Sequence, residues 1–130
     1  MELKDLVGYQ LVSIDDVKIV VRKGNSEYTL CINEDYGDCC GYNEFSTKLL
    51  VSEDELVRNP IITNVEVEET IARREENWFD GQGAKITFFG EVKPIAELDS
   101  FSSSGSGWCY GACVTIVCEA LEMDETITSW

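Results

Sequence analysis

The chain has 130 residues, with 25 Asp plus Glu against 10 Lys plus Arg, a formal net charge of −15, six Cys and no His. This length suits one compact domain over residues 1–130 around one core, and 44% hydrophobic residues are too many for a disordered acidic tail. The acidity argues against direct binding of nucleic acid or anionic membranes, and the missing histidines exclude Ser-His-Asp triads, Cys-His dyads and His metal ligands.

Met1-Glu-Leu-Lys-Asp-Leu-Val-Gly has no cationic stretch before an apolar core, so no signal peptide is expected. No apolar run approaches the roughly 18 to 20 residues of a membrane span. A cytoplasmic setting is expected, in which thiols stay reduced and six Cys call for something other than a disulfide framework.

Hydrophobic alternation predicts strands at Gly8 to Asp15 and Val17 to Lys23, with Val17, Ile19 and Val21 on one face. Lys23-Gly24-Asn25-Ser26 signals a turn, and Glu27 to Asn33 follows with Tyr28, Leu30 and Ile32 sharing a face, making a three-stranded meander. Glu34 to Asn43 reads as a loop and Phe45 to Val51 as a strand. Ser52 and Glu55 fit a capping box, with Pro60 limiting that helix to about two turns. Ile61 to Glu69 alternates, with Val65 and Val67 inward and Glu66 and Glu68 outward. Glu69 to Gln82 reads as a charged helical turn or loop, with Trp78 and Phe79 folding back. Ala84 to Val92 is a strand in which Gly90 marks a bulge or close approach. Ser100 to Gly107 reads as a mobile loop, Gly111 to Leu121 as the last strand, and the acidic tail to Trp130 is expected to fray. The predicted class is mainly β (α+β), an antiparallel sheet of about six to seven strands with one or two short helices.

The cysteines divide into two kinds. Cys31 and Cys118, inside predicted strands, are expected to be small buried hydrophobes. Cys39-Cys40 and the pair Cys109 and Cys113 flank glycine-rich loops, where backbone N–H groups can turn toward sulfur as a metal knuckle requires. Four thiolates around one ion form a structural zinc site that does no chemistry. The spacing lacks the two C-x2-C knuckles of a zinc ribbon, so inert reduced thiols and a redox or disulfide pair remain as alternatives.

Acidic residues crowd two segments: Glu66, Glu68, Glu69, Glu75, Glu76 and Asp80, then Glu119, Glu122, Asp124 and Glu125. A solvated face explains such runs; an acidic surface imitating the phosphates of nucleic acid explains them functionally. Glu34, Asp35 and Asp38 lack the EF-hand order of calcium ligands. Trp78, Phe79, Trp108 and Tyr110 are either core lids or interface anchors.

Asp5-Leu-Val-Gly-Tyr-Gln-Leu-Val-Ser-Ile, Gly37-Asp-Cys-Cys-Gly-Tyr, Asn59-Pro-Ile-Ile-Thr-Asn-Val-Glu and Gly105-Ser-Gly-Trp-Cys-Tyr-Gly together resemble a family of small phage-encoded proteins of uncharacterised function. That family carries an acid where Gly41 stands, and aromatic and serine residues where Cys109 and Cys113 stand, so four-cysteine ligation would be this chain's own. By size, charge and cysteine content the chain also looks like metal-stabilised anti-CRISPR proteins that inhibit type II effector nucleases. The resemblance implies a non-enzymatic inhibitor that binds a basic, nucleic-acid-binding surface of a host defence protein. Zinc on Cys39, Cys40, Cys109 and Cys113 is the expected cofactor. The alternatives are a virion or assembly β module and, less favoured, a carboxylate-based or metal-dependent enzyme.

Overall fold

Alternating apolar residues separated by tight turns make antiparallel ladders, and in the computed structural model they build two of them. The structure describes residues 1–35, 42–74, 79–103 and 112–129. Over these the chain runs through β1 (Gln10–Ile14), β2 (Lys18–Lys23), β3 (Ser26–Asp35), β4 (Tyr42–Leu49), α1 (Glu53–Val57), β5 (Asn64–Arg74), β6 (Phe79–Phe89), β7 (Pro94–Ser103), β8 (Cys113–Cys118) and β9 (Met123–Ser129). Among the described residues, no helix is long and apolar enough to cross a membrane.

The five-stranded sheet has the order β1-β2-β3-β8-β9 and the four-stranded sheet the order β4-β7-β6-β5, with every pairing antiparallel. The mainly β class is as expected; the division into two sheets and the number of strands are not. The sheets share one core. Leu11, Ile19, Val21, Leu30, Val114 and Ile116 come from the first, and Ile86, Phe88, Ala96 and Leu98 from the second. A 3-10 turn over Leu3–Leu6 adds Leu3 and Leu6, both buried.

The meander β1-β2-β3 forms as predicted. Gly24 takes φ +63 at the first central position of the β2–β3 turn, a conformation that costs a residue without Cβ little. Ser52 caps α1, its hydroxyl accepting from the Glu55 N–H at 3.2 Å. The Glu55 carboxylate does not complete a capping box; it pairs with Lys93 Nζ at 3.0 Å. Asn59, at φ +52, turns the chain toward Pro60.

Several expectations need correction. Val17 lies outside β2 and is 69% exposed, because the Asp15 carboxylate holds the turn by accepting from the Val17 and Lys18 N–H groups. Glu34 and Asp35 extend β3, and Tyr42 and Asn43 open β4, so the predicted loop shrinks to residues 36–41, outside the described residues. Val67 is 37% exposed, since β5 is an edge strand of its sheet. The predicted charged turn from Glu69 to Gln82 is instead the outer half of a long hairpin, paired from Asn64 with Phe89 to Arg74 with Phe79. Ser100 to Ser103 belong to β7 and are buried. From Met123 to Ser129 the acidic tail is a strand: β9 pairs along β8 and buries Met123, Ile127 and Thr128, while Trp130 lies outside the described residues. Gly90 meets its expectation, since a Cβ there would lie 2.9 Å from Ile95 Cγ2, and the β6–β7 register shifts beside it.

Two edges are covered. Pro60–Ile62 lies along β1, with Leu11 N–H donating to the Pro60 carbonyl and Ile62 N–H to that of Tyr9. On β4, the Thr47 N–H and hydroxyl both donate to Asp16 Oδ1 at 2.8 Å. Occupied edges of this kind resist pairing with other chains.

Candidate functional site

The chain passes from the first sheet to the second between Asp35 and Tyr42, and returns between Ser103 and Ala112. These two crossings carry Cys39, Cys40 and Cys109, which lie outside the described residues. Their roots lie together, because Asp35 pairs with Cys113 across β3–β8 and Tyr42 pairs with Ser103 across β4–β7. Cys113, the remaining candidate ligand, is half-buried at the start of β8. The fold therefore brings the strand ends flanking all four cysteines to one end of the molecule.

A buried polar cluster joins the same strand ends. The Asn43 amide donates to the Asp35 carbonyl at 2.9 Å and to the Cys113 carbonyl at 3.2 Å, while its oxygen accepts from the Ser102 hydroxyl at 2.7 Å. Thr128 Oγ1 lies 2.8 Å from Ser102 Oγ and 2.7 Å from Ser100 Oγ. Asn43 thus touches the last residue of β3, the end of β7 and the first residue of β8. Buried hydroxyls and amides persist where they find such partners. Sequence reasoning missed this cluster because serines beside glycines read as loop; the available signal was the spacing of Ser100 and Ser102 in step with inward-facing Ala96 and Leu98.

Of the other cysteines, Cys118 is buried as expected, but Cys31 is exposed. The reason is alternation: Leu30 points into the core, so its neighbour points out. Trp78, Trp108 and Tyr110 lie outside the described residues, and Phe79 begins β6.

The outer face of the four-stranded sheet carries the acidic signal. Lys48, Glu97, Thr87 and Glu66 form one row across it, and Ser46, Asp99, Lys85 and Glu68 the next; Glu44 follows on β4. Among the described residues these rows hold five carboxylates and two lysines. Alternate residues along a strand are about 7 Å apart, and β5 and β7 lie two strand spacings, about 10 Å, from each other. Glu66 with Glu68, and Glu97 with Asp99, therefore make two parallel rails of negative charge. Lys85 sits between them, paired with Glu97 at 2.7 Å. Its ammonium is held above the ordinary lysine range by that hydrogen bond first and by the Glu97, Asp99 and Glu68 charges beyond it. Glu97 and Asp99 had no place among the predicted acidic residues. Glu75 and Glu76 lie outside the described residues. Glu119, Glu122 and Asp124 are exposed near the β8–β9 connection, away from this face.

Glu125 behaves differently. Partial burial pushes its carboxyl above the ordinary glutamate range, the nearby Glu2 and Asp5 charges add to that, and the Leu3 N–H that it accepts at 3.1 Å acts against it. A raised carboxyl favours the folded state as the pH falls, because the native chain binds its proton first. Glu125→Gln keeps an acceptor for Leu3 and removes the charge. It is expected to raise the melting temperature at neutral pH, with the gain closing as the pH falls through the raised value toward the ordinary glutamate value. Thermal melts of both proteins from pH 7 to pH 4 check this; a gain that does not change with pH would refute it.

Comparisons with protein-family models, with curated proteins and with solved structures return no match for this chain.

Proposed function

We propose that the protein is a non-enzymatic, phage-encoded inhibitor acting in the host cytoplasm. Its acidic sheet face occupies a basic nucleic-acid-binding surface of a defence protein, of the type II CRISPR effector class, and blocks nucleic-acid loading. The observation that carries this reading is the pair of carboxylate rails on β5 and β7. Fixed on a sheet, they present regularly spaced negative charge without the conformational cost of ordering a flexible tail. Charge complementarity of this kind steers encounter and selects partners with a positive groove. Zinc on Cys39, Cys40, Cys109 and Cys113 would tie together the two crossings between the sheets. The convergence of the strand ends that flank them supports this fit. Such an ion would hold structure and supply no chemistry.

The test is binding of the purified protein to a type II effector, with and without guide RNA, over a salt series. Affinity is expected to fall as salt rises, and guide RNA to compete. Glu66→Lys with Glu68→Lys should weaken binding at least about tenfold, since like charges then face each other. Both side chains point to solvent, so folding is retained. Elemental analysis of the same preparation should find zinc, and chelation should lower its melting temperature. Binding that is absent, or indifferent to salt and to charge reversal, would defeat the inhibitor reading; metal-free protein would defeat the zinc part alone.

A further inference from the structure

The two outer sheet faces differ sharply in charge. On the five-stranded sheet, the residues pointing away from the core at its centre are Thr29, Cys31 and Asn33 on β3, Thr115 and Val117 on β8, and Thr126 on β9. All are uncharged, in a chain of net charge −15; Asp35 faces the same way at the end of β3. All are also short, so the face is flat. One row across it reads Lys18, Cys31, Val117, Asp124 from β2 to β9. It is neutral in the middle and carries opposite charges at its two ends. Lys18 and Asp124 are exposed, and neither joins an ion pair among the described residues. Arg22 and Glu27, farther along the same face, already pair with each other.

We infer that this face is a self-association surface that takes a second copy of the chain, about a two-fold axis parallel to the strands between β3 and β8. Rotation about that axis turns the row end for end. Lys18 of each copy then stands over Asp124 of the other, and Cys31 and Val117 of one copy lie against Val117 and Cys31 of the other. A two-fold arrangement makes the charge match twice. An axis across the strands would set Lys18 against Lys18 and is excluded by repulsion. The acidic face of the other sheet could not serve, because two copies would oppose five carboxylates with five. Only the Lys18 to Asp124 row spans all four strands, so with strands about 4.8 Å apart and rows about 7 Å apart the overlap buries less than about 1,000 Å² in total, the size of a weak contact. The dimer is therefore weak and reversible, and leaves both acidic faces outward.

Sedimentation equilibrium of the purified protein over a wide concentration range tests this. The expected result is a monomer–dimer equilibrium. Lys18→Glu should weaken it at least about tenfold by placing like charges together, and Lys18→Glu with Asp124→Lys should restore it. Circular dichroism confirms that the variants fold, as substitution of exposed residues allows. Independently, a short bismaleimide should join two chains of the wild type at Cys31, and Cys31→Ser should abolish that product. A chain that is monomeric throughout overturns the inference. So does a dimer indifferent to both charge changes, or a cross-link that survives Cys31→Ser. Loss of binding to another protein by these variants, with the chain monomeric, would assign the face to that partner and overturn it as well.

Discussion

Replacing Asn43 by alanine is expected to lower the unfolding free energy by about 3 kcal/mol, from the loss of hydrogen bonds to buried groups. The side chain is 7% exposed and spends both amide protons on backbone carbonyls, those of Asp35 and Cys113. Its oxygen takes the Ser102 hydroxyl, which keeps Thr128 as a second neighbour. Alanine therefore withdraws two donors from strand ends that flank both crossings between the sheets. Asn43→Asp is a sharper probe because its shape is unchanged. An ionised carboxylate would turn an oxygen toward the two carbonyls, so it should cost at least as much as alanine at pH 7. Its folded-state pKa is then raised, and the sign follows: the native state binds the proton first, so the variant recovers stability as the pH falls. Urea unfolding of both variants at pH 7 and pH 5 reads the effect. An alanine variant within 0.5 kcal/mol of wild type, on the order of a surface substitution, would mean that the cluster is incidental.

Gly81→Ala is expected to cost about 2 to 3 kcal/mol, as overpacking of a fixed site does. A Cβ there would fall inside contact with Phe101 Cζ and 2.5 Å from the Ser102 carbonyl oxygen. The ring could turn aside, but the carbonyl belongs to β7, the central partner of both β4 and β6. Two measurements separate these causes. Phe101→Leu in the Gly81→Ala background should return only part of the loss, because the backbone clash remains. Gly90→Ala should cost less, since its nearest obstacle is the methyl end of Ile95, with the Lys93 carbonyl 3.3 Å away. Equal losses at the two glycines in chemical denaturation would show that the close approach at Gly81 yields easily.

The elements visible in the sequence are those where one physical signal acted alone. Ile19 and Val21, then Tyr28, Leu30 and Ile32, alternate without interruption around a glycine turn, and the meander follows. Ser52 signals its own cap. Elsewhere a second effect masked the first. Ser100 to Ser103 have loop composition, but Ser100 and Ser102 bury their hydroxyls against Thr128 and Asn43, residues distant in the chain. In β9 a register shift opposite Val114 and Thr115 breaks the alternation between outward Asp124 and inward Thr128. β7 has no counterpart among the predicted elements, although it is central to its sheet. With β7 unread, Glu97 and Asp99 could not be placed beside Glu66 and Glu68, so half of the acidic face stayed hidden. Cys31 was readable: once Leu30 and Ile32 are assigned inward, the intervening residue must face out.

The four-stranded sheet comes entirely from residues 42–103, whereas the five-stranded sheet joins residues 10–35 to residues 113–129. One sheet is thus an insertion into the other, and the order of assembly follows from chain entropy. Each hairpin among β5, β6 and β7 closes a short loop, but pairing β3 with β8 brings together segments separated by about 80 residues, at a cost that grows with the logarithm of that length. If the inserted sheet is already formed, its compact ends hold Asp35 and Cys113 close together and most of that cost has been met. The register between β3 and β8 then becomes the late, rate-limiting event of folding. Asn43, which bonds to a residue on each side of that register, is positioned to set it.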